Sequence, residues 1–162
     1  MRRCGIKIND SSDLFRGYFC FQSMKEKKQY RLGAAQRLKS RKQIERLFSQ
    51  GQRFAVFPIR VLYELQQATA IPGNRAKAGF AVSSRNFKKA VDRNRIKRLL
   101  REGYRLEKLP LETALTGSQK KLDVFFVFTG KELPEYLLIK EKLAVILKKL
   151  INLVNENNIA NT

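Results

Sequence analysis

The apolar residues of this chain recur with two different spacings, and each spacing predicts its own type of element. Ile44, Leu47 and Phe48 stand three and four residues apart, as on one face of a helix. They predict a first helix over 41–50 that ends at Gly51. We expect this triplet to pack in the core. The alternative is that part of it lines a groove, because aromatic rings beside cations can stack on nucleobases.

Two longer segments share the helical spacing. One runs from 87 or 88 to 108 and the other from 134 or 135 to 155. In the first, Ile96, Leu99 and Leu100 fall in an arc of about 100°, and cations occupy an arc on the far side. This helix is therefore predicted to bury one stripe and to present a row of positive charge.

Alternation and short apolar runs predict the strands. Residues 53–65 indicate two strands or one bent strand, with a break at Pro58. Residues 66–77 are expected to form a hairpin turn that leads into a returning strand over 78–84. A loop is expected around 117–118, and the unbroken apolar run in 123–129 predicts a strand buried on both faces. The resulting order is α-β-β-β-α-β-α, which is a single α+β domain over 31–155.

The two ends of the chain lack such patterns. Residues 1–30 are expected to be a mobile extension, and 156–162 a short tail. Met24 opens a segment that resembles the start of a basic RNA-binding protein. One alternative is therefore that translation starts at Met24.

Charge narrows the class of partner. The 34 Lys and Arg residues exceed the 14 Asp and Glu residues and give a net charge of +20. A nucleic acid, an anionic membrane or an acidic protein would each supply the counter-charge. A membrane is disfavoured because no apolar run approaches the roughly 18 residues of a spanning helix. A nucleic acid and an acidic protein remain as candidate partners, and we expect the protein to be cytoplasmic.

The chain is poor in the side chains that catalyse reactions. It has no histidine, and its only cysteines, Cys4 and Cys20, lack metal-ligand spacing. Its four aspartates are scattered, and the glutamates form no recognisable motif. Any catalysis in which this protein takes part is therefore expected to reside in another molecule.

One segment resembles a known family. Residues 88–102 read Lys-Lys-Ala-Val-Asp-Arg-Asn-Arg-Ile-Lys-Arg-Leu-Leu-Arg-Glu, and they are similar to the signature of the bacterial ribonuclease P protein subunit, often named the RNR motif. The likeness extends to 37–39, to Phe48 followed by Gly51, and to the strand segments 61–63 and 79–83. It covers about 36–155 in order and spacing.

The resemblance implies a fold and an activity. Members of this family resemble domain 2 of ribosomal protein S5 and have a left-handed βαβ crossover, although the general rule for such crossovers is right-handed. They assist a catalytic RNA that removes the 5′ leader from precursor tRNA by metal-dependent hydrolysis. Mg²⁺ is thus expected for the holoenzyme, with no cofactor held firmly by the protein and no catalytic residue in it.

The resemblance also assigns site residues. The positions that match the RNA-facing motif are Arg85, Lys88, Lys89, Arg93, Asn94, Arg95, Lys97, Arg98 and Arg101. The positions that match a cleft for the single-stranded leader are Arg37, Lys39, Ile44, Phe48 and Tyr63. Ile44 stands where an aromatic residue is common in the family, and Ser84 replaces a commonly basic residue. Whether metals contact the protein is left open.

Two other classes of function remain as alternatives. A structural RNA-binding protein, such as a ribosomal protein, would share the charge and the lack of histidine but not the register of residues 93–102. A self-sufficient protein nuclease is disfavoured by the lack of histidine and of clustered carboxylates.

Overall fold

The computed structural model describes residues 30–67 and 75–159, and a compact unit begins at Leu32. Its strands are β1 (Gln52–Val56), β2 (Ile59–Gln67), β3 (Ala76–Val82) and β4 (Lys120–Phe128). Its helices are α1 (Arg41–Gln50), α2 (Ala90–Glu107), α3 (Leu109–Gly117) and α4 (Tyr136–Ile159), preceded by a 3-10 turn at Ala34–Gln36. The predicted order is confirmed with one helix, α3, added. The proposed start at Met24, and the extension except for its last residue, lie outside the described residues.

The sheet has the strand order β1-β2-β4-β3. β1 and β2 form an antiparallel hairpin around Phe57 and Pro58, which confirms two strands with a break at Pro58. The prediction that 66–77 is a hairpin turn is wrong, because β4 lies between β2 and β3. β4 is antiparallel to β2 and parallel to β3. Its nearly continuous burial explains the central position, since an apolar strand gains most when both faces are covered.

The connection from β3 to β4 is a parallel crossover through α2 and α3. α2 begins at Ala90, two or three residues later than predicted. The loop expected around 117–118 is a short turn, because the additional helix α3 fills the segment before it. Pro110 stands in the first turn of α3, where a missing N–H is tolerated. Leu111 and Leu115 are fully buried one turn apart, so their burial holds this short helix in place. The left hand of the crossover stays a prediction.

The main core lies between one face of the sheet and the helices α2, α3 and α4. Its fully buried members include Val61, Val124, Phe126, Ile96, Leu100, Ile139, Leu143 and Ile146. α2 and α4 approach closely at Gly103, where an added Cβ would lie 2.7 Å from Leu143 Cδ1. The predicted apolar stripe of α2 is thus confirmed. α4 continues to Ile159, so the first residues of the predicted tail are helical.

The opposite face of the sheet carries α1. Beneath it lies a second, smaller cluster of Leu38, Leu47, Leu62 and Phe125. Leu38 belongs to a short extended segment beside β3, where its N–H donates to the Ala78 carbonyl at 3.0 Å. We name this side of the sheet, which bears Leu62 and Phe125, the cleft face.

Candidate nucleic-acid interface

α1 covers the cleft face only in part. Its central Leu47 is fully buried against the sheet, whereas the neighbouring Phe48 is 44% exposed. Ile44 is half-buried and, like Ala81 and Val127 on the sheet, packs against the small buried cluster. The apolar surface beside α1 is therefore partly open to solvent. We name this surface, formed by Ile44, Phe48, Ala81, Phe125 and Val127, the cleft.

An aromatic pair builds the cleft. The rings of Phe48 and Phe125 meet edge to face, with centroids 5.3 Å apart and an interplanar angle of 70°. Phe125 fits because its strand neighbour is Gly79, where an added Cβ would lie 2.2 Å from Phe125 Cδ2. The space left by Gly79 is thus filled by a ring of the protein's own sheet. Phe48 is held with one part of its ring against protein and the other toward solvent.

Tyr63 does not belong to the cleft, which corrects the assignment made from the sequence. Successive residues of a strand point to opposite faces, and Leu62 is the one that faces α1. Tyr63 is 6% exposed in the main core, where its ring meets Phe54 edge to face. Burial raises the pKa of its phenol, and the charge of Glu156 on α4 adds to the shift.

A row of charged residues crosses the cleft face. Glu64 on β2, Asp123 on β4 and Lys77 on β3 are direct cross-strand neighbours. Arg46 on α1 donates to Glu64 Oε1 at 2.5 Å and so ties the helix to the sheet. Sequence reasoning missed this row. A signal was present in the sequence: Glu64 is two residues from Leu62 on β2, and Asp123 is two residues from Phe125 on β4, so each pair points to the same face.

Asp123 is the unusual member of this row. It is 6% exposed, and its Oδ1 is buried with no hydrogen-bond partner among the described residues. Desolvation raises the pKa of this carboxyl, and the positive charges of Lys121 and Lys77 counteract the shift only in part. An unpaired buried oxygen is costly, so this carboxyl lacks a donor that it needs.

The two cations that the sequence assigned to the cleft differ in their contacts. Arg37 and Lys39 are exposed on either side of the buried Leu38. The Arg37 guanidinium donates from Nη2 to the Leu32 carbonyl at 3.3 Å, which links it to the protein's own backbone. Lys39 is exposed just before the start of α1.

The outer face of α2 and the segment just before it carry the predicted cations. The exposed members of the motif are Arg85, Lys88, Lys89, Asn94, Arg95, Arg98 and Arg101, and Lys97 is half-buried. Within the described part of the chain, Arg95, Arg98 and Arg101 form no ion pair. Such guanidinium groups stay charged near pH 7 and can bind phosphate in bidentate fashion.

Arg93 differs from the other motif residues. Its Nη1 donates to the carbonyls of Phe87 and Lys88 at 2.9 and 2.6 Å. Asn86, which sequence reasoning missed, donates from Nδ2 to the carbonyls of Thr129 and Gly130 at 2.8 and 3.0 Å. These two side chains fix the segment that leads into α2, so part of the motif serves to position the rest.

The two candidate surfaces lie on opposite faces of the sheet, because α2 packs on the main core and α1 on the cleft face. Among the residues that the structure describes, no group of three or more His, Cys, Asp or Glu side chains could hold a metal ion. No helix in the described ranges is long and apolar enough to cross a membrane.

Comparison with known proteins identifies the family. The model of the family described as Ribonuclease P matches residues 32–151. A ribonuclease P protein component from Porphyromonas gingivalis is 36% identical over 110 residues, which cover 65% of this chain and 75% of that protein. One from Chlorobaculum tepidum is 38% identical over 104 residues, which cover 62% of this chain and 66% of that protein.

Solved structures show the same fold. The RNase P protein of Staphylococcus aureus has a TM-score of 0.53 at 23% identity, covering 70% of this chain and 94% of that chain. The RNase P protein of Thermotoga maritima has a TM-score of 0.52 at 24% identity, covering 70% and 96%. With the match over most of the compact unit, the chain belongs to the ribonuclease P protein family.

Proposed function

We propose that this chain, as the protein component of ribonuclease P, binds the catalytic RNA through α2 and the 5′ leader of precursor tRNA through the cleft. The observation that carries the proposal is the separation of a cationic helix face from a half-exposed aromatic cleft. The first suits a folded RNA backbone, and the second suits an unpaired strand. The family match favours this role over that of a ribosomal protein.

The α2 face would act as the electrostatic contact. Arg95, Arg98 and Arg101 project from a helix whose other side is buried, so they reach an RNA surface without disturbing the core. Neutralising phosphates releases condensed counterions, which favours binding and makes it depend on salt.

The cleft would hold the leader by stacking. A nucleobase that packs on the exposed part of Phe48 gains contact area on a ring already positioned by Phe125. Lys39 at the edge of the cleft and Lys77 on its floor would contact the sugar-phosphate backbone of the same RNA leader.

The active site would reside in the RNA. The described carboxylates of the cleft, Glu64 and Asp123, are surrounded by Arg46, Lys77 and Lys121, which is a poor environment for a divalent cation. These described carboxylates therefore do not fit a protein-held Mg²⁺ site, and no chemical step is assigned to them. Their proposed work is to bind and orient RNA.

The test is cleavage of precursor tRNA at low magnesium with protein alone, cognate RNA alone, and both together. We expect efficient cleavage only when both are present. Cleavage by the protein alone would overturn the proposed location of the active site. Tight RNA binding without any stimulation of cleavage would instead favour the role of a structural RNA-binding protein.

A charge-matched pair of variants tests the role of α2. Replacing Arg95, Arg98 and Arg101 with Ala is expected to reduce the log-log salt slope of catalytic-RNA binding by about 2 to 3, at about 0.7 to 0.9 per phosphate contact. The control replaces Lys140, Lys148 and Lys149, exposed on α4, with Ala. Equal reductions of the salt slope in both variants would show that binding depends only on net charge.

A further inference from the structure

The buried carboxyl of Asp123 lies beside the aromatic surface of the cleft. Asp123 and Phe125 are two residues apart on β4 and point to the same face, so their Cα atoms are about 7 Å apart. Phe125 in turn supports the half-exposed ring of Phe48. The stacking surface of Phe48 and the Asp123 carboxyl therefore belong to the same face of the sheet and are linked through Phe125.

Asp123 lacks a hydrogen-bond donor in the described protein. Oδ1 is buried and unpartnered, while the neighbouring Glu64 is satisfied by Arg46. Buried polar atoms without partners destabilise a folded protein, so an uncompensated one points to a partner supplied by a ligand.

The surrounding charges decide which donor fits. Arg46, Lys77 and Lys121 contribute three positive charges near Asp123, and Glu64 contributes one negative charge. A divalent cation would be repelled by this excess. A neutral amino group would not be repelled, and it would donate the hydrogen bond that Oδ1 lacks. Lys77 and Lys121 are half-buried on flexible stems, so they can move aside for an incoming group.

We infer that Asp123 accepts a hydrogen bond from the amino group of a leader nucleobase and thereby selects amino-bearing bases over uracil at one leader position. The inference rests on the proposed binding of the leader in the cleft. Adenine and cytosine present an exocyclic amino group, and guanine presents one beside a ring N–H. The pairing edge of uracil has two carbonyl oxygens around its N–H, and these repel a carboxylate.

The experiment uses the holoenzyme of full-length protein and cognate RNA. Precursor tRNAs with each base at each leader position in turn, and mature tRNA, are compared by dissociation constant. At one position, we expect wild type to bind amino-bearing bases about tenfold more tightly than uracil. Asp123→Asn should abolish this difference, because its amide can donate to uracil, and should leave mature tRNA binding unchanged.

Two controls keep the outcomes separate. Glu64→Gln changes the neighbouring carboxylate, already bound to Arg46, and should keep the base preference. With wild-type protein, purine riboside in place of adenosine removes only the amino group and should weaken binding at the same position. Unchanged discrimination in Asp123→Asn, or none in wild type, would overturn the inference. Equal binding of precursor and mature tRNA by wild type would instead contradict the proposed function of the cleft.

Discussion

Neighbouring residues of β2 have opposite roles, and the one that the sequence assigned to the cleft, Tyr63, is the one that lies in the core. Leu62 lies under α1 on the cleft face, whereas Tyr63 packs in the main core. On α1, Leu47 is buried and Phe48 is half-exposed. At the residue scale, the direction in which each side chain points therefore separates residues that support the fold from residues available to RNA.

Substitution of the two aromatic residues should separate these roles. Tyr63→Ala is expected to lower the free energy of unfolding by about 3 to 5 kcal/mol, because it leaves a cavity in the core. Phe48→Ala should cost about 1 kcal/mol of stability, since it loses mainly one edge contact, but should reduce the preference for precursor over mature tRNA. Urea unfolding and tRNA binding measure the two effects.

The control for this pair is Phe57→Ala, which removes an aromatic ring that is 78% exposed in the β1–β2 turn. It should change neither the free energy of unfolding nor the preference for precursor over mature tRNA by much. A folded Tyr63→Phe variant with a lost precursor preference would contradict the burial of Tyr63 away from RNA.

Asp123 should make the stability of the free protein depend on pH. Burial raises the pKa of its carboxyl in the folded state, so folding favours the protonated form. Asp123→Asn is therefore expected to be more stable than wild type at neutral pH, because burial disfavours the ionised form of the carboxyl. This advantage should shrink as the pH falls through the folded pKa toward the unfolded value. Melting of both proteins from pH 7 to pH 4 measures it, and a less stable variant at pH 7 would contradict the prediction.

At the scale of elements, β3 and β4 pack closely where Gly79 lies beside the ring of Phe125. Gly79 leaves the space in which Phe125 lies, and Phe125 supports Phe48 across to α1. One contact between two strands thus positions a side chain on a third element.

Gly79→Ala should disturb this arrangement. The new methyl group would overlap the Phe125 ring, which is 92% buried and confined. We expect a loss of about 1 to 3 kcal/mol in the free energy of unfolding, as for other overpacked sites. Adding Phe125→Leu should recover part of that stability by vacating the space. Equal denaturant midpoints for wild type and Gly79→Ala would show that the ring moves freely.

At the scale of the whole molecule, the net charge of +20 acts in opposite directions on folding and on binding. Repulsion among the cations opposes compaction of the free protein, whereas the same cations attract RNA.

Added salt should therefore have two opposite effects. The melting temperature of the free protein is expected to rise between 50 and 500 mM KCl, because screening weakens self-repulsion. Affinity for the catalytic RNA should fall over the same range with a log-log slope of about −4 to −5 if five or six phosphates are neutralised. A slope near zero would reject the electrostatic mechanism, and a falling melting temperature would show that ion pairs outweigh repulsion.

The sequence by itself determined the elements with strong periodicity. The stripe of Ile96, Leu99 and Leu100 predicted α2 because a helix returns each turn to the same side. The apolar run of β4 predicted burial on both faces. The cations of α2 were also predictable, since an amphipathic helix that buries one side must expose the other.

The tertiary structure decided what depends on residues distant in the chain. β4 lies between β2 and β3 because its two apolar faces are covered only at the centre of the sheet. No local pattern carries this pairing, and so the hairpin prediction failed. The same limit applies to Tyr63 and Asp123. Alternation places neighbouring residues of one strand on opposite faces, but the register between β2 and β4 and the packing of α1 on one face and of α2 and α4 on the other are needed to assign the core to Tyr63 and the cleft floor to Asp123.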